Sequence, residues 1–513
     1  MPKAIGIDLG TTNSAMAIVD ETGRPKMIAN KEGKHTTPSV ILFRGKERIV
    51  GERAKGLAVA QAENIAMLMK RHMCEVDWKY IDDNDKSYTP EELSALILKK
   101  LKQDAAAGLG EEITKAVITV PAYFEDLERS RTKDAGRIAG LEVLRLINEP
   151  TAAAFAYGIK STGQKLKVLV YDLGGGTFDV TVMDVDGSDI NMVTTTGNKI
   201  LGGADFDRTL AKYFADEFQE THGLDPFEKG LNLKVYQDFM DKAERAKFDL
   251  SSDTETYITL TAAGKVLDLT LSRDKFNSLI KHYVDETIDL TGQALKDASL
   301  SWPDIDKILL VGGSTRIPMV QEELRRVSGK ELESGINPDE IVALGAAVMA
   351  ASEIGEKIVD PTGGALPPPS IIDATAASLG IVAVDVSTAA QTSYNSIIIK
   401  KDSKLPAQGK ERYSTVADNQ TRVEIQVLQG EQRDPKDCTK VGEAHQLTGI
   451  PPMKKGEPDI EVQMQYDKEG IIHVFAKELK SGVDLKVDIK DPNRLSDEQI
   501  EQKKAETAQL QVK

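Results

Sequence analysis

Two short phrases in this 513-residue chain have the residue types and spacing to hold phosphate. The first is Ile5-Gly6-Ile7-Asp8-Leu9-Gly10-Thr11-Thr12, and the second is Val170-Tyr171-Asp172-Leu173-Gly174-Gly175-Gly176-Thr177. Each apolar run ends in Asp, turns through Gly and Thr, and continues into a second alternating run, which reads as strand, tight turn, strand. Glycine lets backbone approach a phosphate closely. Turn N–H groups and Thr hydroxyls donate to its oxygens, and Asp can hold a hydrated divalent cation. One copy alone would be an ordinary hairpin turn. Two copies imply two lobes clamping one nucleotide. A third turn, Val311-Gly312-Gly313-Ser314-Thr315-Arg316-Ile317-Pro318, follows an apolar strand and precedes a helix that Pro318 is suited to open, placing backbone N–H groups and a helix N-terminus beside a ligand.

The elements that must position these turns alternate between strand and helix patterns from residue 1 to about 355, as in an α/β architecture. Helices are expected over 90–104, 125–139, 209–221, 233–248, 274–299 and 339–354, and strands at the two hairpins, at 116–120 and at 307–311. Composition then shifts: residues 356–374 carry Pro361-Thr362-Gly363-Gly364 and Pro367-Pro368-Pro369 and read as a stiffened linker. Short strands follow at 396–400, 422–428, 459–466, 471–478 and 483–489, a small antiparallel β domain over 375–490. In the tail, 491–513, Ser496 as N-cap and Gln499 three residues later form a capping box. So short and polar a helix is expected to fray unless something docks on it.

Composition excludes several classes. A net charge of −16 argues against nucleic acid as the main partner, since phosphate backbones are bound by clustered Lys and Arg. The two cysteines, Cys74 and Cys438, lie far apart and make neither a disulfide framework nor a zinc set. No apolar run approaches the ~20 residues of a membrane helix, so no membrane partner is expected. The N-terminus lacks the pattern of a signal peptide, and a reducing cytoplasm is the expected compartment.

Taken in order, the two Asp-Leu-Gly hairpins, Val120-Pro121-Ala122-Tyr123-Phe124, Ile147-Asn148-Glu149-Pro150-Thr151-Ala152-Ala153-Ala154, Leu201-Gly202-Gly203-Ala204-Asp205-Phe206-Asp207, Glu244-Arg245-Ala246-Lys247 and the third glycine turn resemble the ATPase domain of the 70-kilodalton heat-shock chaperones. Val427-Leu428-Gln429-Gly430-Glu431 and Gly470-Ile471-Ile472-His473-Val474 are similar to that family's peptide-binding domain. The resemblance implies an actin-like two-lobed ATPase domain (1–355), a linker (356–374), a β-sandwich peptide-binding domain (375–490) and the short start of a helical lid. It implies ATP or ADP with magnesium, potassium being a candidate second cation, held at the base of the cleft. Gly10, Thr11, Thr12, Asn13, Gly174, Gly175, Gly176 and Thr177 would hold the phosphates. Asp8 and Asp172 would hold the magnesium through water. Lys70 would neutralise charge on the γ-phosphate, with Glu149 and Thr177 near the attacking water; without the surrounding motif, Lys70-Arg71 would read as a solvated basic pair and Glu149-Pro150 as a helix boundary. Glu244, Lys247 and Ser251 on one side, and Gly312, Gly313, Ser314, Arg316, Ile317 and Asp339 on the other, match the nucleoside contacts. Phe248 stands where many members have Arg, and either covers the adenine face or is a core residue of an amphipathic helix.

In the β domain the resemblance assigns peptide contacts to Ile381, Ile398, Val416, Val423, Ile425 and Ile472, although alternating Val and Ile equally describe that domain's own core. Coupling is assigned to Pro121, Arg129, Arg145 and Asp373, with an Arg145–Asp373 ion pair permitted. The family's leucine-rich linker is reduced here to Ile371-Ile372-Asp373 after the prolines, which confines β-type docking to that piece. Residues 384–396 are longer than the family's arch over the peptide. The function implied is an ATP-dependent chaperone for unfolded, apolar segments, with a J-domain cochaperone and a nucleotide exchange factor as partners. A sugar kinase on the same actin-like fold, or a nucleotide-gated peptide-binding module with little hydrolysis, are the alternatives.

Overall fold

The computed structural model describes residues 3–122, 124–159, 164–228, 233–360, 362–386, 391–467, 471–489 and 494–513. Tyr123, Pro361, Gly470 and residues 387–390 of the lengthened segment lie outside the described residues.

The chain is a mixed α/β protein, and the repeated phrase is a repeated topology. In lobe I, Ala4–Asp8 pairs antiparallel with Asn13–Val19 and parallel with Lys115–Val120, which pairs in turn with Glu142–Asn148. In lobe II, Lys165–Leu173 pairs antiparallel with Phe178–Asp186 and parallel with Lys307–Val311. Each phosphate-type turn therefore joins a central strand to its antiparallel neighbour. The helices expected from sequence form as Pro90–Leu109, Asp126–Ile138, Gly203–His222, Leu233–Ser252, Arg273–Asp297 and Ile341–Glu353. The Ala-rich helix Glu149–Gly158, buried on all sides, was not expected. It shows no amphipathic period to read.

Close approach brings the lobes together. A Cβ on Gly345 would fall on the Ala152 backbone, and one on Gly6 on the backbone of Ala346 and Ala347, so the Ile341–Glu353 helix packs directly on Glu149–Gly158 and on the first strand.

Beyond residue 374, two four-stranded antiparallel sheets face one another. One runs Ser393–Ile399, Leu379–Val384, Arg422–Gln429, Thr439–Thr448; the other runs Ala407–Tyr413, Ile460–Tyr466, Ile472–Glu478, Asp484–Ile489. Their inner faces share one apolar cluster. Leu379–Val384, Ala407–Tyr413 and Thr439–Thr448 were not expected; Ala407–Tyr413 reads Ala-Gln-Gly-Lys-Glu-Arg-Tyr and is half exposed, so its apolar alternation is weak.

The linker docks. Ser370–Ile372, directly after the prolines, pairs in parallel with the edge of lobe II at Asp189–Asn198, and Ile371 packs on the cluster between the lobes. The tail helix Asp497–Gln509 forms with its capping box closed: Ser496 Oγ accepts from the Gln499 N–H (3.2 Å) and the Ser496 N–H donates to Gln499 Oε1 (2.8 Å).

Candidate active site

The three glycine turns meet at one cavity of about 500 Å³ between the lobes. A Cβ on Gly175 would overlap the Thr12 side chain and one on Gly176 that of Thr11, so the two repeated turns touch across the cleft. The third turn lines the same cavity. Gly312 has φ +81°, a left-handed conformation that suits glycine, and Ser314 Oγ donates to the Gly174 carbonyl (2.9 Å).

Lys70 sits at the base, 5 % exposed, on a short 3-10 turn (Met69–His72) that follows Leu68 at φ 59°. That left-handed leucine is a strained conformation, of order 1–3 kcal/mol, which turns the lysine inward. Lys70 Nζ donates to Glu149 Oε1 (2.6 Å) and to the Leu9 carbonyl (2.7 Å). Glu149 opens its helix immediately after Asn148, the last residue of the edge strand Glu142–Asn148 of lobe I.

Asp8 ends the central strand Ala4–Asp8 of lobe I, and Asp172 is the penultimate residue of its counterpart Lys165–Leu173 in lobe II. Burial, then the nearby Glu149 carboxylate, pushes Asp8 up to about 7, against the pull of Lys70 and a hydrogen bond from Thr119 Oγ1 (2.9 Å). Burial and the charges of Glu149, Asp179 and Asp8 raise Asp172 well above the ordinary carboxylate range. Asp8, Asp172 and Glu149 thus share one ammonium as their near cation, and a divalent ion is the charge this set lacks. Among the described residues no three His, Cys, Asp or Glu side chains converge as direct metal ligands.

Higher in the cleft, Glu244, Lys247, Phe248 and Ser251 line one wall and Gly312, Gly313, Ser314, Arg316, Ile317 and Asp339 the other. Phe248 is 55 % exposed and opens onto the cavity, which removes its alternative as a core residue. Arg316 is held in place by Asp339 (2.7 Å) and Asn337 (2.8 Å). Gly10, Thr11, Thr12, Asn13, Gly174, Gly175 and Thr177 also line the cavity; Gly176 does not.

Several cleft residues were given no site role from the sequence. The Arg71 side chain is 8 % exposed: its Nε donates to the Gly176 carbonyl (3.0 Å) and its fork grips Asp205 at the start of the Gly203–His222 helix, tying lobe I to the second turn. Its only sequence signal was adjacency to Lys70. Lys55 reaches Glu244 across the mouth (2.7 Å), and Asp207, raised to about 6 by burial, pairs with Lys247 (2.7 Å).

The coupling residues fall on the far side of Glu149. Asp373 accepts from Asn148 Nδ2 (3.2 Å) and Thr151 Oγ1 (3.4 Å), and Arg129 donates to Asn148 Oδ1 and to the carbonyl of Phe124 (3.1 Å). Pro121, buried, follows the Lys115–Val120 strand. The permitted Arg145–Asp373 pair does not form; Arg145 lies 3.6 Å from Glu353. Arg145 is three residues before Asn148 on one strand, roughly 10 Å away and on the opposite face. In the β unit, Ile381, Ile425 and Ile472 are core residues, while Ile398 and Val423 are half-buried at its edge. Val416 lies in the loop before Arg422–Gln429, its N–H donating to Gln420.

The fold and site define a two-lobed cleft protein with duplicated glycine turns around a buried lysine–carboxylate base. A family model described as Hsp70 protein matches residues 4–513. The chain belongs to the Hsp70 family, whose members are ATPases and ATP-dependent chaperones that bind unfolded polypeptides with J-domain and exchange-factor cochaperones.

Proposed function

We propose that hydrolysis of ATP in the cleft switches the affinity of the β unit for extended apolar segments of unfolded polypeptides. The observation that carries this reading is the linker strand Ser370–Ile372, which extends the lobe II sheet bearing the second phosphate turn and leads directly into Asp373, bonded to the residue before Glu149.

When bound, magnesium-ATP supplies the phosphoryl group and its charge. The chain's residues then position and neutralise, which is most of what phosphoryl transfer requires. Thr11, Thr12 and the Gly174–Thr177 turn, with Gly10 and Asn13, would present donors to phosphate oxygens; Asp8 and Asp172 would hold the cation through water. Lys70 places its ammonium where charge develops. Glu149 and Thr177 orient the attacking water. Phe248 and Arg316 face the nucleobase, Glu244, Lys247 and Ser251 the sugar side. The relay runs from Glu149 through Asn148 to Arg129 and Asp373. Clients would engage the edge marked by Ile398 and Val423 through main-chain hydrogen bonds and one apolar pocket. The two free cysteines suit a reducing cytoplasm.

The test is phosphate release with and without an unstructured apolar peptide, with peptide affinity followed in ATP and ADP. Stimulated turnover and affinity that differs between nucleotides are expected. Turnover raised by a sugar and not by peptide would overturn the reading.

A further inference from the structure

Asp8 and Asp172 occupy equivalent places in the duplicated topology, yet their strand neighbours differ. In lobe I, Asp8 lies opposite Ala15 on the antiparallel side. On the parallel side Ile7 lies opposite Ile118, so Thr119 comes level with Asp8. In lobe II, Asp172 lies opposite Asp179 on the antiparallel side and opposite Val311 on the parallel side. Where lobe II has a methyl of Val311, lobe I therefore has a hydroxyl. Threonine and valine have nearly the same shape, and the hydrogen-bond donor is the difference between them.

Thr119 is the one polar side chain in the apolar run Ala116–Val120, and it is 0 % exposed. A hydroxyl so placed must find its partner inside the protein. Thr119 Oγ1 donates to Asp8 Oδ1 (2.9 Å). A β-branched side chain holds its χ1 tightly, and the strand that carries this one is paired on both sides, with Ala4–Asp8 and with Glu142–Asn148. The hydroxyl is thus a fixed point. Asp8 is half-buried and lines the cleft cavity, whereas Thr119 does not, so Thr119 holds Asp8 from behind.

We infer that Thr119 is a positioning residue for the cation: its hydroxyl fixes the Asp8 carboxylate by Oδ1 and leaves Oδ2 to take the cation's water. A carboxylate free to rotate loses that freedom each time a cation binds. One held from behind is already oriented, as the ligands of a metal are by their outer-shell partners. Asp172 has the carboxylate of Asp179 on one side and Val311 on the other, so the two cation-facing aspartates are not interchangeable. This positioning role rests on Asp8 as the cation's contact, the reading proposed above, and it acts on the orientation of the carboxylate.

The test is manganese binding to the full chain carrying ADP, read by electron paramagnetic resonance, so that no turnover enters the measurement. Thr119→Val is expected to weaken manganese affinity about tenfold, while ADP affinity in excess chelator stays within about twofold. Thr119→Ser removes a buried methyl but keeps the donor; it is expected to melt lower than the parent and still bind manganese within about twofold of it. Parental manganese affinity in Thr119→Val overturns the proposal. So does a loss of affinity that follows melting temperature across the two variants, which is the behaviour of a threonine that only supports the fold. Asp8→Asn separates the proposal from the reading beneath it, and is expected to weaken manganese at least as much as Thr119→Val. Undiminished affinity in Asp8→Asn removes Asp8 from the cation, and the reading and the proposal fall together. Weakened binding in Asp8→Asn with unchanged binding in Thr119→Val leaves the reading standing and overturns the proposal alone.

Discussion

At the base of the cleft, Lys70, Glu149 and Asp172 are buried beside the half-buried Asp8, four ionisable groups around the Lys70–Glu149 ion pair, whereas the β unit fills its interior with Ile, Val, Leu and Met and buries, among the described residues, the single carboxylate Glu478, which accepts from Ser481 and the Asp459 N–H. The cleft holds charge where water screens it weakly, so a phosphate and its cation find a complementary field. The β unit stores no such field. Its capacity to bind lies where its apolar core comes to the edge.

That contrast breaks first in the β unit. Ile425, 2 % exposed, is core, and Ile425→Asp is expected to cost about 4 kcal/mol or more and abolish the β unit's cooperative unfolding while ATP turnover persists. Val423→Asp, two residues away and half-buried, is expected to leave melting nearly unchanged and weaken labelled-peptide affinity by roughly tenfold. Equal effects of the two on folding would erase the distinction between core and edge. In the cleft, Lys70→Ala is expected to slow single-turnover hydrolysis by about 10²-fold or more while ATP affinity stays within a few-fold, because the lysine acts on developing charge. Near-normal turnover would remove Lys70 from the chemistry. Phe248→Ala is expected to weaken ATP binding by about 1 kcal/mol with turnover of the bound nucleotide unchanged, measured by titration with a fluorescent analogue.

The smallest effect concerns the β unit's exposed charges. His473 lies between Asp488 (2.6 Å) and Asp467 (3.1 Å), and these hydrogen bonds raise it above its ordinary 6.5. A raised histidine stabilises the fold fully below 6.5 and loses that contribution as pH rises through its folded value. The β unit's melting temperature should therefore fall slightly as pH increases past 6.5, and His473→Gln should flatten the slope. A steeper slope in the variant would reverse the assignment.

Part of the cleft was legible because glycine turns depend on local backbone geometry, which short motifs specify. Asp8 and Asp172 reach one cavity, as do Lys70 and Glu149, which only the family resemblance had singled out, and the capping box at Ser496 formed as its spacing predicts. Arg71 was not legible, since a basic pair on a helical turn reads alike whether it faces solvent or a carboxylate contributed 134 residues later. The β unit was half legible. Alternation in Arg422–Gln429 marks two faces, but only the opposing sheet decides that Ile425 is interior and Val423 is edge.

The sequence by itself determined the three turns, the strands that carry Asp8 and Asp172 at their C-terminal ends, and the breaks at the prolines, because these follow from backbone sterics over a few residues. The tertiary structure alone decided that Arg145 turns to Glu353 and leaves Asp373 to Asn148 and Thr151, that the polar tail becomes part of lobe I, and which apolar residues of the β unit are core. Those outcomes depend on burial and charge partners far apart in the chain, and partners at that distance leave no local pattern to read.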